Sequence, residues 1–394
     1  MKKFSILLGL SLLSSLNAQT VSNKPNSKYA FTKIAETTKP TVKDQCRTST
    51  CWSFSTLSLI ESELLRQNKG NFDLSEMYVA RWAYIEKAIT YIRMNGKHQF
   101  EQGGEGHDVA YIIEKYGIVP ESVYRGLING KTRHNHDELI DVLKSYVETI
   151  VKRNPTTLGK EWIQGIEGIL DAYLGKIPAE FEYNGKKYTP KSFYESLGIN
   201  LNDYVILTSF THHPYYKPFA LEVPDNWAMQ TAMNVPLNEL LDNMKNALKE
   251  GYSIAWAADV SEKGFSFKNG LAIVPMHDSL VTKIGNDNKG FNDGGAQREG
   301  TVFDSPCQEP EINETMRQEA FDLQKTTDDH GMHITGLYKE NSGKFFFEVK
   351  NSWGTGNPCA GYLFVSENYT KYKTISVMFH KNGLTKSTKK AINQ

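Results

Sequence analysis

The chain has 394 residues, 39% hydrophobic and 23% charged, the proportions of an ordinary globular protein rather than a disordered or fibrous one. Lysine plus arginine equals aspartate plus glutamate at 45 each, so no overall field draws it to nucleic acid or to an acidic membrane. The length admits one enlarged domain or two.

Met1-Lys2-Lys3, the apolar run from Phe4 to Leu13 and the small, polar residues up to Ala18 predict a secretory signal at 1–18, cleaved after Ala18, and hence an exported protein. The run falls far short of the roughly 20 apolar residues of a spanning helix, and no later segment reaches that length, so no membrane span is expected. Residues 19–43, polar with Pro25 and Pro40, read as an N-terminal arm. From Cys51 onward Phe54, Leu57, Ile60 and Leu64 recur at helical spacing, which predicts a helix from the cysteine to about Asn68, with Ser49 and Thr50 as suitable caps. Helices are also expected over Ser75–Thr90, His107–Lys115 and Leu237–Lys249, and Asp137 to Leu174 alternates at the same period. Gly285 to Gly300 reads as a surface loop without the regular oxygen spacing of a calcium site. Met332–Tyr338 and Lys344–Lys350 predict an antiparallel hairpin around Lys339–Gly343. The lysine-rich tail from Thr385 reads as a solvated end.

The chemistry concentrates at two places. Cys51 would sit on the first turn of its helix, where unpaired N–H groups and the positive dipole end favour the thiolate and lower its pKa. Gln45, six residues earlier, could join the Cys51 N–H in holding a developing oxyanion. A thiol nucleophile needs a base and something to fix that base's tautomer. Pairing about the expected turn sets His330 roughly opposite Asn351, with Trp353 placed to cover the pair. His333, three residues along a strand, would face the other way. With no third ligand cluster near His330 and His333, neither metal nor cofactor is expected. His212-His213 read as structural or exposed. Four cysteines, Cys46, Cys51, Cys307 and Cys359, are too few for a disulfide framework.

Gln45 with Cys51-Trp52-Ser53-Phe54, Asp329-His330-Gly331-Met332, and Lys350-Asn351-Ser352-Trp353-Gly354 with Gly361-Tyr362 resemble, in order, the three signature regions of papain-like cysteine peptidases. The long separation of Cys51 from His330, together with Tyr116-Gly117-Ile118-Val119-Pro120 and Thr189-Pro190-Lys191-Ser192-Phe193-Tyr194, resembles the bleomycin hydrolase/aminopeptidase C branch. The resemblance implies an α+β, two-lobed papain-like fold: a helical lobe carrying the cysteine helix and an antiparallel, barrel-like lobe carrying His330 and Asn351. The peptidase domain would span 44–394, with a large helical insertion in about 125–285 and the catalytic hairpin at 326–366. It implies Cys51 as nucleophile, His330 as general acid/base, Asn351 as its orienter, Gln45 as oxyanion donor, and Gly103-Gly104 lining the cleft where a peptide backbone approaches. Peptide substrates and a homo-oligomer, a hexamer in the family, follow from the same likeness. Thr48 stands where papain has a disulfide cysteine, Cys46 is unusual beside Gln45, and the tail lacks the Asp-Pro-Met-Gly-like ending tied to aminopeptidase action and hexamer assembly. Endopeptidase or transpeptidase action would use the same residues, and a non-catalytic peptide- or glycan-binding module could share the fold.

Overall fold

The computed structural model describes residues 20–153, 157–285 and 296–392, so the expected signal at 1–18 and most of the glycine-rich loop lie outside the described residues. Among the described residues no helix is long and apolar enough to cross a membrane.

The chain builds an α+β structure around two large apolar cores. Helices at Cys51–Arg66, Glu76–Arg93, Gly106–Tyr116, Asp137–Lys152, Glu161–Leu174 and Pro190–Leu197 turn their apolar sides inward. Leu57, Tyr84, Ile112, Leu143, Leu170 and Phe193 meet there in one buried cluster. Each such side chain contributes about 1.5–3 kcal/mol by leaving water, which is what holds short helices that would be marginal alone. Pro190 opens its helix at a position where the missing N–H costs nothing, and Thr189 and Ser192 cap it reciprocally. The Pro190 carbonyl also accepts the Ile118 N–H at 3.1 Å, so two segments that are distant in sequence meet in space.

The second core lies on a large sheet. Its order is Pro218–Ala220, Thr231–Asn234, Tyr204–Thr208, Thr374–His380, Ile254–Ala258, His330–Glu340, Phe345–Lys350, Tyr362–Ser366, Leu271–Ala272 and Phe265–Ser266. Pairing is antiparallel except where Tyr204–Thr208 meets Thr231–Asn234 and where Leu271–Ala272 meets Tyr362–Ser366. Trp256, Ile334, Phe347, Val349, Leu363 and Val377 fill the core beneath it. The cysteine helix, Cys51–Arg66, lies across the histidine strand, His330–Glu340, between the two cores.

Several expectations need correction. Within 20–43 the expected arm is docked: Phe31–Glu36 pairs with the histidine strand, and Phe31, fully buried, stacks on Phe364 with ring centroids 4.1 Å apart. Two aromatic residues, Tyr29 and Phe31, supplied enough apolar surface to dock a segment that otherwise looked polar. The stretch 125–285 is helical at first, but from Tyr204 it feeds strands into the main sheet. The tail is partly ordered as the helix Lys386–Ala391, pinned where Asn243 Nδ2 donates to Thr388 Oγ1 at 2.7 Å.

The hairpin forms, with a different register. His333 pairs with Lys350 and Ile334 with Val349, and a bulge follows between Ile334 and Gly336. The histidine strand also runs on to Glu340, which moves the turn towards the C-terminus. Extending the His333 pairing by three residues puts His330 opposite Trp353 rather than Asn351. The displacement is two residues, an even number, so Asn351 keeps its face and still reaches the histidine.

Candidate active site

Cys51 is the first residue of its helix, and Thr50 is the N-cap without a side-chain capping bond. The Thr50 hydroxyl is instead engaged with Thr48 Oγ1 at 2.7 Å. The leading N–H groups of the helix are therefore not claimed by a cap, and they point to where Cys51 stands. Gly331, just after His330, lets the strand come close: a Cβ there would lie 2.9 Å from Ser55 Oγ and 3.2 Å from the Cys51 carbonyl carbon. Only a residue without a side chain permits this approach. Cys51 and His330 consequently line the same cleft, of about 820 Å³.

His330 is buried, with Nε2 2.8 Å from Asn351 Oδ1. The Ser352 N–H donates to that same oxygen at 2.7 Å, which fixes which end of the amide faces the ring. An acceptor opposite Nε2 requires the hydrogen on Nε2, leaving the Nδ1 lone pair to act as a base. Trp353 tilts over the imidazole at 4.7 Å between centroids, and Phe267 meets the indole edge-on at 5.4 Å. This roof shields the pair from water and strengthens its hydrogen bond.

Gln45 is buried behind the cysteine. Its Oε1 accepts the Ser352 hydroxyl at 2.6 Å, and its Nε2 donates one hydrogen to the Thr48 carbonyl at 2.6 Å. The amide carries a second hydrogen. Gln45 lines the cleft with Cys51. Gly104 packs on the Trp52 indole, with a Cβ there only 2.9 Å from the ring. Gly103 is expected to leave room for a substrate backbone, but that room is taken: a Cβ would lie 1.9 Å from the Asp225 carboxylate.

The helix terminus is not the only influence on the thiol. Burial pushes the Cys51 thiol up to about 12, and the nearby Asp328 and Asp225 carboxylates add to it; the Gly331 and Trp52 N–H groups only partly oppose them. Desolvation is the largest influence, since burial removes the water that would solvate a thiolate. Burial likewise brings His330 down to about 4, against the Asn351 bond and Asp329.

Gly331, Ser352, Asp225 and Asp328 were assigned no role from sequence. Gly331 and Ser352 stood inside recognisable motifs, whereas Asp225 carried no local signal. His333 faces away, with Nδ1 2.8 Å from Ser58 Oγ. His212, His213 and Glu222 bring ligand-type atoms within 4.8 Å of one another. Glu222 already accepts from both rings, at 2.7 and 3.0 Å, so the three satisfy each other through hydrogen bonds. All four cysteines are free thiols.

A profile of the family described as "Peptidase C1-like family" matches residues 11–290 and 279–394. Aminopeptidase C of Streptococcus thermophilus is 23% identical over 401 residues, covering 90% of this chain and 83% of that protein. Aminopeptidase C of Lactococcus lactis subsp. lactis is 25% identical over 386 residues, covering 88% and 82%. Among solved structures, PepW from Lactobacillus rhamnosis superposes with a TM-score of 0.67 at 21% identity, covering 92% of this chain and 84% of that one, a likeness of fold.

Proposed function

This chain belongs to the Peptidase C1-like family, and on that premise we propose that it is a thiol-dependent aminopeptidase working through Cys51, His330 and Asn351. The observation that carries the reading is the 2.8 Å bond from His330 Nε2 to Asn351 Oδ1 beside a cleft that also holds Cys51. In the first step the Cys51 proton passes to His330 Nδ1 and Sγ attacks the peptide carbonyl carbon. The oxyanion is received by the Cys51 N–H and the second Gln45 amide hydrogen. His330 then protonates the departing amine, and the thioester is hydrolysed by water that the same imidazole deprotonates. Asn351 holds the ring in the tautomer both steps need.

The relatives' names, aminopeptidase C at near full length, support the exopeptidase reading and peptide substrates. The finer architecture, two lobes with a helical insertion, suits the two cores and the long separation of Cys51 from His330. Export with cleavage after Ala18 and assembly into a homo-oligomer belong to the same proposal; N-terminal sequencing of secreted material and light scattering test them. For the activity itself, aminoacyl-coumarin turnover under reducing conditions is measured for the parent and for Cys51→Ala. The reading expects turnover only in the parent, and equal rates would remove it. Blocked-amine substrates cleaved as fast as free ones would turn it towards an endopeptidase.

A further inference from the structure

Resting on the aminopeptidase reading, we infer that Asp225 and Asp328, backed by Glu105, form the pocket that takes the free α-ammonium of the substrate and so sets cleavage one residue from the chain end. Asp225 lies on the turn after Pro224. That turn is fixed from both sides, with Asn226 Nδ2 donating to the Leu221 carbonyl at 3.0 Å and to the Gln230 carbonyl at 2.9 Å. Gln99 Nε2 donates to Asp225 Oδ1 at 2.7 Å, and the carboxylate rests on the bare face of Gly103. A peptide running past Gly103 would collide with it. The cleft is therefore closed on that side, by a residue that lines it together with Cys51.

What closes it is a cluster of carboxyl groups, raised by burial and by one another, whose ionised form a bound ammonium would stabilise. Asp225 and Asp328 line the inner pocket together with Cys51, His330 and Glu105. Glu105 is only 2% exposed, and it faces Asp328, a second carboxyl with which it shares a side-chain hydrogen bond. The nearby cation, Lys87, offsets Asp225 only in part, while its ammonium bonds the backbone carbonyls of Glu101 and Gly103. Carboxyls pressed together ionise readily only beside a cation, and a primary ammonium supplies three donors and a positive charge. The α-nitrogen of a peptide is two bonds from the carbonyl carbon that is attacked. Its anchor must therefore lie in the wall that also holds the nucleophile, as these carboxylates do. The same groups raise the Cys51 thiol, so a bound ammonium would ease thiolate formation at the moment of attack.

The test needs no turnover. Leucyl-glycyl-glycine amide and its N-acetyl form are titrated calorimetrically into full-length Cys51→Ala. The free amine is expected to bind at least about tenfold more tightly, and the preference to shrink to about twofold in Cys51→Ala with Asp225→Asn and Asp328→Asn. In the active enzyme the same two substitutions raise KM for leucyl-coumarin more than they lower kcat. Equal affinity of the two peptides for Cys51→Ala, an arm that needs no aspartate variant, overturns the inference. So does a preference that survives both isosteric changes. Failure of the enzymatic reading is separate, since it appears as equal turnover with and without Cys51.

Discussion

Two histidines three residues apart on one strand, both buried and both lowered by that burial, end in opposite situations. His330 turns to the cleft, where Asn351 holds Nε2 and the Trp353 indole lies over the ring. His333 turns into the protein, where Ser58 Oγ engages Nδ1 and itself accepts from Lys350 Nζ at 2.7 Å. The period of two along a strand decides this difference, not the chemistry of the side chain. Burial and a lowered pKa do not by themselves identify a catalytic histidine; access to the nucleophile and an acceptor that fixes the tautomer do.

The contrast breaks most sharply on replacing each ring. His330→Gln should lower kcat/KM by about 10³-fold or more, through loss of the base in both steps. Aminoacyl-coumarin kinetics measure this, and a loss below about tenfold would place His330 with His333 as a packing residue. Asn351→Ala should cost roughly 10²-fold, mostly in kcat, because the ring loses its orientation but not its basicity. The acid side of stability sharpens the comparison further. His330 titrates near 4 when folded, against about 6.5 unfolded, so the unfolded chain binds more protons between those values. Its contribution is complete above pH 6.5 and disappears as the pH falls towards 4. Urea unfolding over that range should therefore fall less steeply in His330→Gln, by about 3 kcal/mol in total. The smallest effect belongs to His333→Gln. It should leave kcat/KM within about threefold of the parent while reducing stability by about 1–3 kcal/mol through the disturbed Ser58 bond.

The sequence disclosed what local pattern governs. The cysteine helix, its start at Cys51 and the strands flanking the turn followed from periodicity, and His330 bonds Asn351 beside a cleft that Cys51 also lines. The opposite facing of His333 was legible for the same reason. What escaped depended on contacts between distant segments. The bulge near Thr335 and the longer strand changed the pairing, and only the even displacement preserved the His330–Asn351 meeting. Residues 19–43 looked like an arm because one buried Phe31 carries little weight in a polar stretch. The helix-terminus argument for a low thiol pKa considered only the local dipole, whereas the burial that raises it, and the Asp328 and Asp225 carboxylates that add to it, come from segments far along the chain. Nothing around Pro224 announces that its neighbour will rest on Gly103.

The central claim, that Cys51 is the reacting thiol, is most directly tested by treating the protein with leucine chloromethyl ketone and mapping the modified cysteine against residual turnover. Cys307 and Cys359 are free and more exposed than Cys51, so accessibility alone would direct the label to them. The account predicts that activity falls in step with modification of Cys51 and that His330→Gln slows that modification. Turnover that persists with Cys51 fully labelled, or that falls with the labelling of another cysteine, would contradict it.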